Sequence, residues 1–563
     1  MRFRRALGAV FACLAFAALS PASAEGPVAR VPDQVDFSTF FMADVRDSPE
    51  CQAHLAGGRV GFGETITNPA LTCPDAFAWN LFVASVSEGF WENWSTNRQT
   101  WPSDPWPRCK PGETGQCCAA VEISNVAWPE HCPVFPGATA GLPQEVATEP
   151  AIARQITLAN AAQGDADGDG KAEWEDVPRA LRTPVIGDLQ GELVYRNEAM
   201  VDYIFDRGFY SADGLARVFG NLTSTAGSYA PRWPEPDDPA ASYPAPPPVV
   251  SMVFPVKSVM IKVDWLSVAD AAKVGIDPYD AANPYIIMNL VPQANANTPP
   301  SEQVRPTPHI LLSMHISSKD LPQWFWATFE HVANQGRCDW TGCNDSFGYL
   351  VAETADVDKA QAEGLAPPAR NFTPPHKTQK VAGLDQLALV LGDRYLGVDA
   401  ISPAFDAILK GYGIGTGSGI NQSGRPTPQD LAWRSYRLKG TQTSFVTATG
   451  RATHLGNSVT EAGFVSSASC ISCHARAGAT KEGTPPLAIF EDTLSDLGLP
   501  LSVNGLPTEA WFNVNAYRDA VGTREAPGIR AVQTDFVWGF RNACPMTLAT
   551  GPSWCAHAIK RPK

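Results

Sequence analysis

Past its first two dozen residues, the chain has no apolar run near the ~20 residues that a membrane-crossing helix needs, so no later span is expected. It is also poor in basic residues: 43 Lys and Arg stand against 58 Asp and Glu, a formal net charge of −15. Nucleic-acid binding rewards a basic face, and this balance argues against it. The same charge favours solubility and suits a basic redox partner. No Gly-x-Ser-x-Gly, His-Glu-x-x-His or dinucleotide glycine fingerprint stands out, so the common hydrolase, zinc-protease and Rossmann chemistries have no foothold. No internal repeat is visible.

What is there begins with an export signal. Arg2, Arg4 and Arg5 precede an apolar run from Ala6 to Leu19 and the small-residue sequence Ala22-Ser23-Ala24. This is the pattern of a secretory signal peptide over 1–24, cleaved before Glu25, and it implies a periplasmic or secreted protein. Of the 13 cysteines, Cys13 leaves with the signal. Ten others, Cys51, Cys73, Cys109, Cys117, Cys118, Cys132, Cys338, Cys343, Cys544 and Cys555, lie outside any recognised motif. An even number in an oxidising compartment implies up to five disulfides, with Cys338–Cys343 and Cys544–Cys555 as local pairs. A zinc site from Cys109, Cys117, Cys118 and Cys132 is the alternative, although its spacing follows no standard zinc pattern.

The ~540 residues left after cleavage exceed the ~100–200 of a typical domain. Three regions are expected. Residues 25–145 are cysteine-rich loop and helix, with "PDAFAWNLFVASVSEGF" at helical spacing. Residues 146–410 form an α+β region. Within it, 185–210 reads as strand, turn, strand and helix, and 231–250 is a proline-rich linker. "SVMIKVDWLSV", "PYIIMNLVP" and "PHILLSMHISS" read as strands. "LPQWFWATFEHVANQ" reads as a helix with Trp324, Thr328 and His331 on one side. Residues 429–563 form a mainly helical haem segment packed on what precedes. The fold class is α+β: an antiparallel sheet region with packed helices and long loops.

Residues 467–478, "SASCISCHARAG", carry the motif that decides the chemistry. In Cys470-Ile-Ser-Cys473-His474 the two cysteines are spaced to form thioethers to one haem, and His474 follows as its axial ligand. The expected cofactor is therefore one covalent haem c, with Cys470, Cys473 and His474 as its site. The iron's other side is open between Met546, His315 and an unfilled position; the first two favour electron transfer and the last favours small-molecule chemistry. A second metal is expected at 165–176, "DADGDGKAEWED". There Asp165, Asp167 and Asp169 alternate before Gly170, and Asp176 closes the loop as in a calcium site. The tract 314–335 gathers His315, Lys319, Glu330 and His331 among aromatics. It makes them candidate catalytic residues of a substrate pocket or haem crevice.

That tract resembles a signature of large exported bacterial cytochrome c family proteins: a His-Ile, a lysine, then W-x-W-x-T-F-E-H-x-x-N. Here it is His315-Ile316, Lys319, Trp324, Trp326, Thr328, Phe329, Glu330, His331 and Asn334. "FAWNLFVA", "VKSVMIKVDW", "YRLKGTQ" and "LGNSVTEAGFVSSASCISCH" are similar to the same family, so the likeness covers scattered blocks from about 73 to 540. The family's N-T-T-x-E-T approach to the haem reads Asn457-Ser458-Val459-Thr460-Glu461-Ala462 here, and the acidic loop and the Cys544–Cys555 tail look like additions. The resemblance implies that the haem segment and the upstream region form one functional unit. Together the readings point to an exported monohaem c-type cytochrome in electron transfer, with a redox partner protein. The alternative is a haem-dependent periplasmic oxidoreductase acting on a small substrate bound upstream.

Overall fold

The computed structural model describes most of residues 65–121, 131–137, 190–228, 249–271, 276–292, 306–334, 403–417, 425–461, 468–484 and 528–546. Shorter pieces are described at 47–62, 144–146, 337–348, 379–388, 401, 505–514 and 555. Among these residues no helix is long and apolar enough to cross a membrane.

One eight-stranded sheet organises the chain. Its strands are β1 (Ser95–Thr96), β2 (Gln144–Val146), β3 (Gln190–Arg196), β4 (Val259–Ser267), β5 (Ile287–Pro292), β6 (Thr307–Ser318), β7 (Phe325–His331) and β8 (Tyr436–Gln442). The main path runs β8-β7-β6-β4-β3-β1, antiparallel throughout. β5 joins the outer part of β6, and β2 pairs with β5 in parallel.

Alternation along the strands gives the sheet two different faces. Leu193 and Tyr195, then Ile261, Val263 and Trp265, then Phe325, Ala327 and Phe329, then Tyr436 and Leu438 all enter one apolar core. Two bulges keep that alternation in step. One leaves Leu312 unpaired, so that Leu311 and Met314 both reach the core; the other leaves Lys439 unpaired and turns it away. The apolar face is covered by helix α1 (Pro74–Glu88), which is buried around most of its circumference. α1 starts on Pro74 and stops at Gly89, whose φ of 64° gives the left-handed C-cap that glycine supplies without strain. Phe77 packs on Phe325 at 4.9 Å and Trp79 on Phe329 at 5.0 Å between ring centroids.

Two further helices, α2 (Glu198–Asp206) and α3 (Ala212–Thr223), are capped by the side chains of Asn197 and Ser211. Their apolar sides join a second core with Met260, Trp324, Trp326, Phe445, Ile471, Trp511, Phe536 and Phe540. This core lies toward the other face of the sheet and holds helix α4 (Cys470–His474) in place.

The expected antiparallel sheet and helices are present, and α1 falls where the periodicity placed it. One expectation is corrected. Residues 325–331 form strand β7, not a helix: every residue of β7 is buried, Thr328 and Glu330 included, so an inner strand covered on both sides has no exposed face to mark a two-residue period. Within the 185–210 stretch, a strand and the helix that follows it are present as β3 and α2, with Asn197 capping the helix; residues 185–189 ahead of β3 lie outside the described ones. Among the described residues of 429–563, α4 is the only α-helix; the rest is short strands, 3-10 turns and irregular chain.

Candidate functional site

The site is built on α4. Ile471 N–H donates to Gln442 Oε1 at 3.0 Å, and Gln442 Nε2 donates to Ser469 Oγ at 2.9 Å, so the end of β8 fixes the helix from below. From the other side, Trp538 Nε1 donates to the Cys473 carbonyl at 3.2 Å and Gln533 Nε2 to that of Ala475 at 2.6 Å. The Trp326 ring, from β7, stands 4.4 Å from the His474 ring.

Cysteine pairing separates this motif from the rest. Cys51–Cys73, Cys109–Cys117, Cys118–Cys132 and Cys544–Cys555 are disulfides, and Cys343 is also disulfide-bonded. Cys470 and Cys473 alone among the described cysteines are free thiols. The four cysteines considered for zinc are spent in two of these disulfides. Cys338 lies outside the described residues. Burial pushes the Cys473 thiol up to about 12 and that of Cys470 well above its usual range. These are neutral thiols, unlike the acidified thiolates of a redox CxxC pair.

His474 is oriented in the same way. Its Nδ1 lies 2.7 Å from the Phe536 carbonyl oxygen. A carbonyl only accepts, so Nδ1 carries the proton and the neutral ring keeps its Nε2 lone pair for a metal. Burial holds the imidazole down to about 4, which keeps it neutral. Two free thiols one helical turn apart, followed by a histidine of this tautomer beside an aromatic core, are groups that could hold a haem c.

The sheet's second face is a row of buried and half-buried polar groups. The strand register sets Glu192 opposite Asp264, Lys262 opposite His315, Asp264 opposite Ser313, His315 opposite Thr328, and Ser313 opposite Glu330. The segment 457–461 lies across this row. Asn457 Nδ2 donates to His315 Nε2 at 2.8 Å and to Thr328 Oγ1 at 3.2 Å. Thr460 Oγ1 donates to Asp264 Oδ2 at 2.6 Å, and Glu461 Oε1 is 3.6 Å from His315 Nε2. Burial raises the Glu461 carboxyl to about 7 and also lifts Asp264. Burial pulls Lys262 the other way, but the negative charges of Glu192, Asp264 and Glu461 outweigh it, and its ammonium is held firmly charged. Glu461 and Lys262 are also close enough to bear electrostatically on Cys470 and Cys473.

The four candidate catalytic residues do not converge. His315 joins the polar row, and burial holds it well below its usual range, with the charge of Lys262 acting in the same sense. Glu330 is fully occupied: Lys439 Nζ is 3.2 Å away, Ser458 N–H donates at 2.9 Å, and the Ser458 hydroxyl donates at 2.5 Å. It fastens the 457–461 segment to the sheet. His331 donates from Nε2 to the Pro284 carbonyl at 3.2 Å, accepts the Ala333 N–H on Nδ1, and stacks on Tyr285 at 3.6 Å. It is a structural histidine. Lys319 leaves the row and pairs with Asp535 at 2.6 Å.

The distal candidates fare differently. His315 faces the site, but its Nε2 accepts from Asn457, a bond that ligation through that nitrogen would break. Met546 flanks the same apolar core as Cys470, while its N–H donates to Asp213 Oδ2 at 2.7 Å, tying it to α3. Asp165, Asp167, Asp169 and Asp176 lie outside the described residues. Among the described ones, no group of three or more His, Cys, Asp or Glu could hold a bare metal ion.

Sequence reasoning missed the partners: Glu192, Lys262, Asp264, Asn457, Thr460 and Glu461 as one network, and Phe536 as the carbonyl behind His474. One signal was legible, charged residues at every second position of "MIKVDW". Comparison with known proteins adds nothing to this geometry: no family model, no curated protein and no solved structure matches the chain.

Proposed function

We propose that the chain is an exported monohaem c-type cytochrome that takes part in electron transfer, with haem attached through Cys470 and Cys473 and His474 as axial ligand. The carrying observation is the pair of free thiols on α4 in a chain whose other described cysteines are all disulfide-bonded, beside a histidine whose Nδ1–H is fixed on the Phe536 carbonyl. The disulfides fit an oxidising, exported location, and the likeness to exported cytochrome c family proteins supports the same reading. A haem held there supplies one-electron chemistry. The protein's share is to hold it, orient its histidine and control access to it.

The test is expression in an export host that matures c-type haems. The protein should carry one covalent haem, seen by intact mass and by the pyridine haemochrome band. Cys470→Ser or Cys473→Ser should leave a single thioether and shift that band. A chain that emerges without covalent haem refutes the proposal.

A second reading, an oxidoreductase acting on a small substrate, is favoured by one observation. The buried row of Asp264, His315 and Glu461 beside α4 is more than a simple carrier needs. Carbon monoxide and nitric oxide separate the two. An iron that binds neither supports the carrier; an iron that binds them readily supports the enzyme.

A further inference from the structure

Lys319 carries the residue pattern of a catalytic lysine, yet the structure gives it another use. It stands just past the end of β6, with its N–H donated to the Ser258 carbonyl at 2.9 Å. Its side chain is 1% exposed and its Nζ lies 2.6 Å from Asp535 Oδ1 and 2.7 Å from the Pro322 carbonyl. Asp535 in turn accepts the Phe254 N–H on Oδ2 at 2.7 Å. Asp535 and Phe536 both adopt left-handed backbone conformations, with φ of 45° and 67°. Neither is glycine, and each such residue costs roughly 1–2 kcal/mol unless its surroundings hold it. The turn is closed by Val537 N–H on the Thr534 carbonyl at 3.0 Å and tied to the end of the motif by Thr534 N–H on that of Ala477 at 3.0 Å. The carbonyl presented from the middle of this turn is the one that accepts His474 Nδ1–H.

We infer that the buried Lys319–Asp535 ion pair is a positioning device for the axial histidine: it holds the strained 534–537 turn so that the Phe536 carbonyl fixes the His474 ring. The inference rests on haem attachment as proposed above. A ligating histidine takes its ring orientation and basicity from the acceptor on its other nitrogen. If either partner of the pair is lost, the turn relaxes toward ordinary backbone conformations and the carbonyl withdraws. The imidazole then becomes a poorer electron donor, and the oxidised iron is less stabilised. Lys319 therefore acts through Asp535 and Phe536 and touches no substrate.

The experiment uses the haem-loaded full chain with Lys319→Met, Asp535→Asn, the double variant and Lys319→Arg. Two readouts are taken: exchange with D2O of the hyperfine-shifted His474 Nδ1–H proton in the oxidised state, and the reduction midpoint. Both single variants should speed exchange by about tenfold, the factor that one hydrogen bond of ordinary net strength supplies. Both should also raise the midpoint. These substitutions remove opposite charges, so a purely through-space effect would move the midpoint in opposite directions. Lys319→Arg, which restores the cation, should return both readouts toward wild type. The double variant buries no lone charge and gives the same answer if a single variant fails to fold. Unchanged exchange in variants that carry haem, or midpoints that move oppositely, overturns the inference alone. Wild-type protein without covalent haem overturns it together with the proposed function.

Discussion

The two faces of the sheet are made by the same strands and solve burial in opposite ways. On one face Phe325, Ala327 and Phe329 meet α1, and stability comes from area removed from water and from close packing. On the other, Thr328 and Glu330, their immediate neighbours, are as deeply buried but are held by named partners. The first face tolerates exchange among apolar residues of similar volume. The second has no such latitude, since each buried charge needs its own counterpart. The CxxCH motif stands against the second face, so specificity of geometry is concentrated beside the candidate site.

Neighbouring substitutions should separate these two modes most sharply. Glu330→Ala leaves the Lys439 ammonium buried without its carboxylate and should cost roughly 3–5 kcal/mol. Phe329→Ala should cost a similar ~3–5 kcal/mol through the cavity it opens. Urea unfolding should show that Glu330→Leu combined with Lys439→Met regains part of the first loss, because neutrality returns while the Ser458 donors stay without their acceptor. Equal losses in the single and double variants would mean that the polar face is held by packing after all.

The apolar side has its own buried acid, and it responds to pH. Asp345 accepts Trp79 Nε1–H at 2.9 Å near the start of α1, and burial with the nearby charge of Asp75 pushes its carboxyl up to about 7. A carboxyl raised on folding holds its proton more tightly in the native state. Its contribution is full below the unfolded value of ~3.9 and is lost as pH rises through about 7, by up to ~1.4 kcal/mol per pH unit for one proton. Unfolding measured from pH 5 to 8 should show stability falling with pH, and Asp345→Asn should flatten that fall.

Smaller effects test the periphery of the comparison. Thr460→Val removes the hydroxyl that donates to Asp264 and should cost about 1–2 kcal/mol, with faster amide exchange across 457–461. A loss near zero would show that this segment is held by Glu330 alone. Lys410→Ala breaks an exposed pair with Asp406 and should change the unfolding midpoint by less than the equivalent of ~0.5 kcal/mol. A larger change would mean that an ordinary surface pair rivals the buried ones.

Legibility followed how local each feature is. β4, β5 and β6 were visible because runs of β-branched and apolar residues alternate or cluster over the length of a strand. α1 was visible because its apolar residues recur at helical spacing. β7 was not, because an inner strand packed on both sides looks the same as a buried helix at short range. The polar row was hidden for another reason. His315, Asp264 and Asn457 are each unremarkable in their own segments and acquire meaning only from strand register.

The sequence by itself determined the CxxCH motif, the surplus of acidic charge and the alternating strands, all set by residue type and short spacing. Only the tertiary structure decided which cysteines stay free and which carbonyl fixes His474. It also sent Lys319 to Asp535, 216 residues away. Such partners are chosen by burial: once water is excluded, a charge or an N–H takes whatever acceptor the packed chain brings within reach, and distance along the sequence says nothing about that.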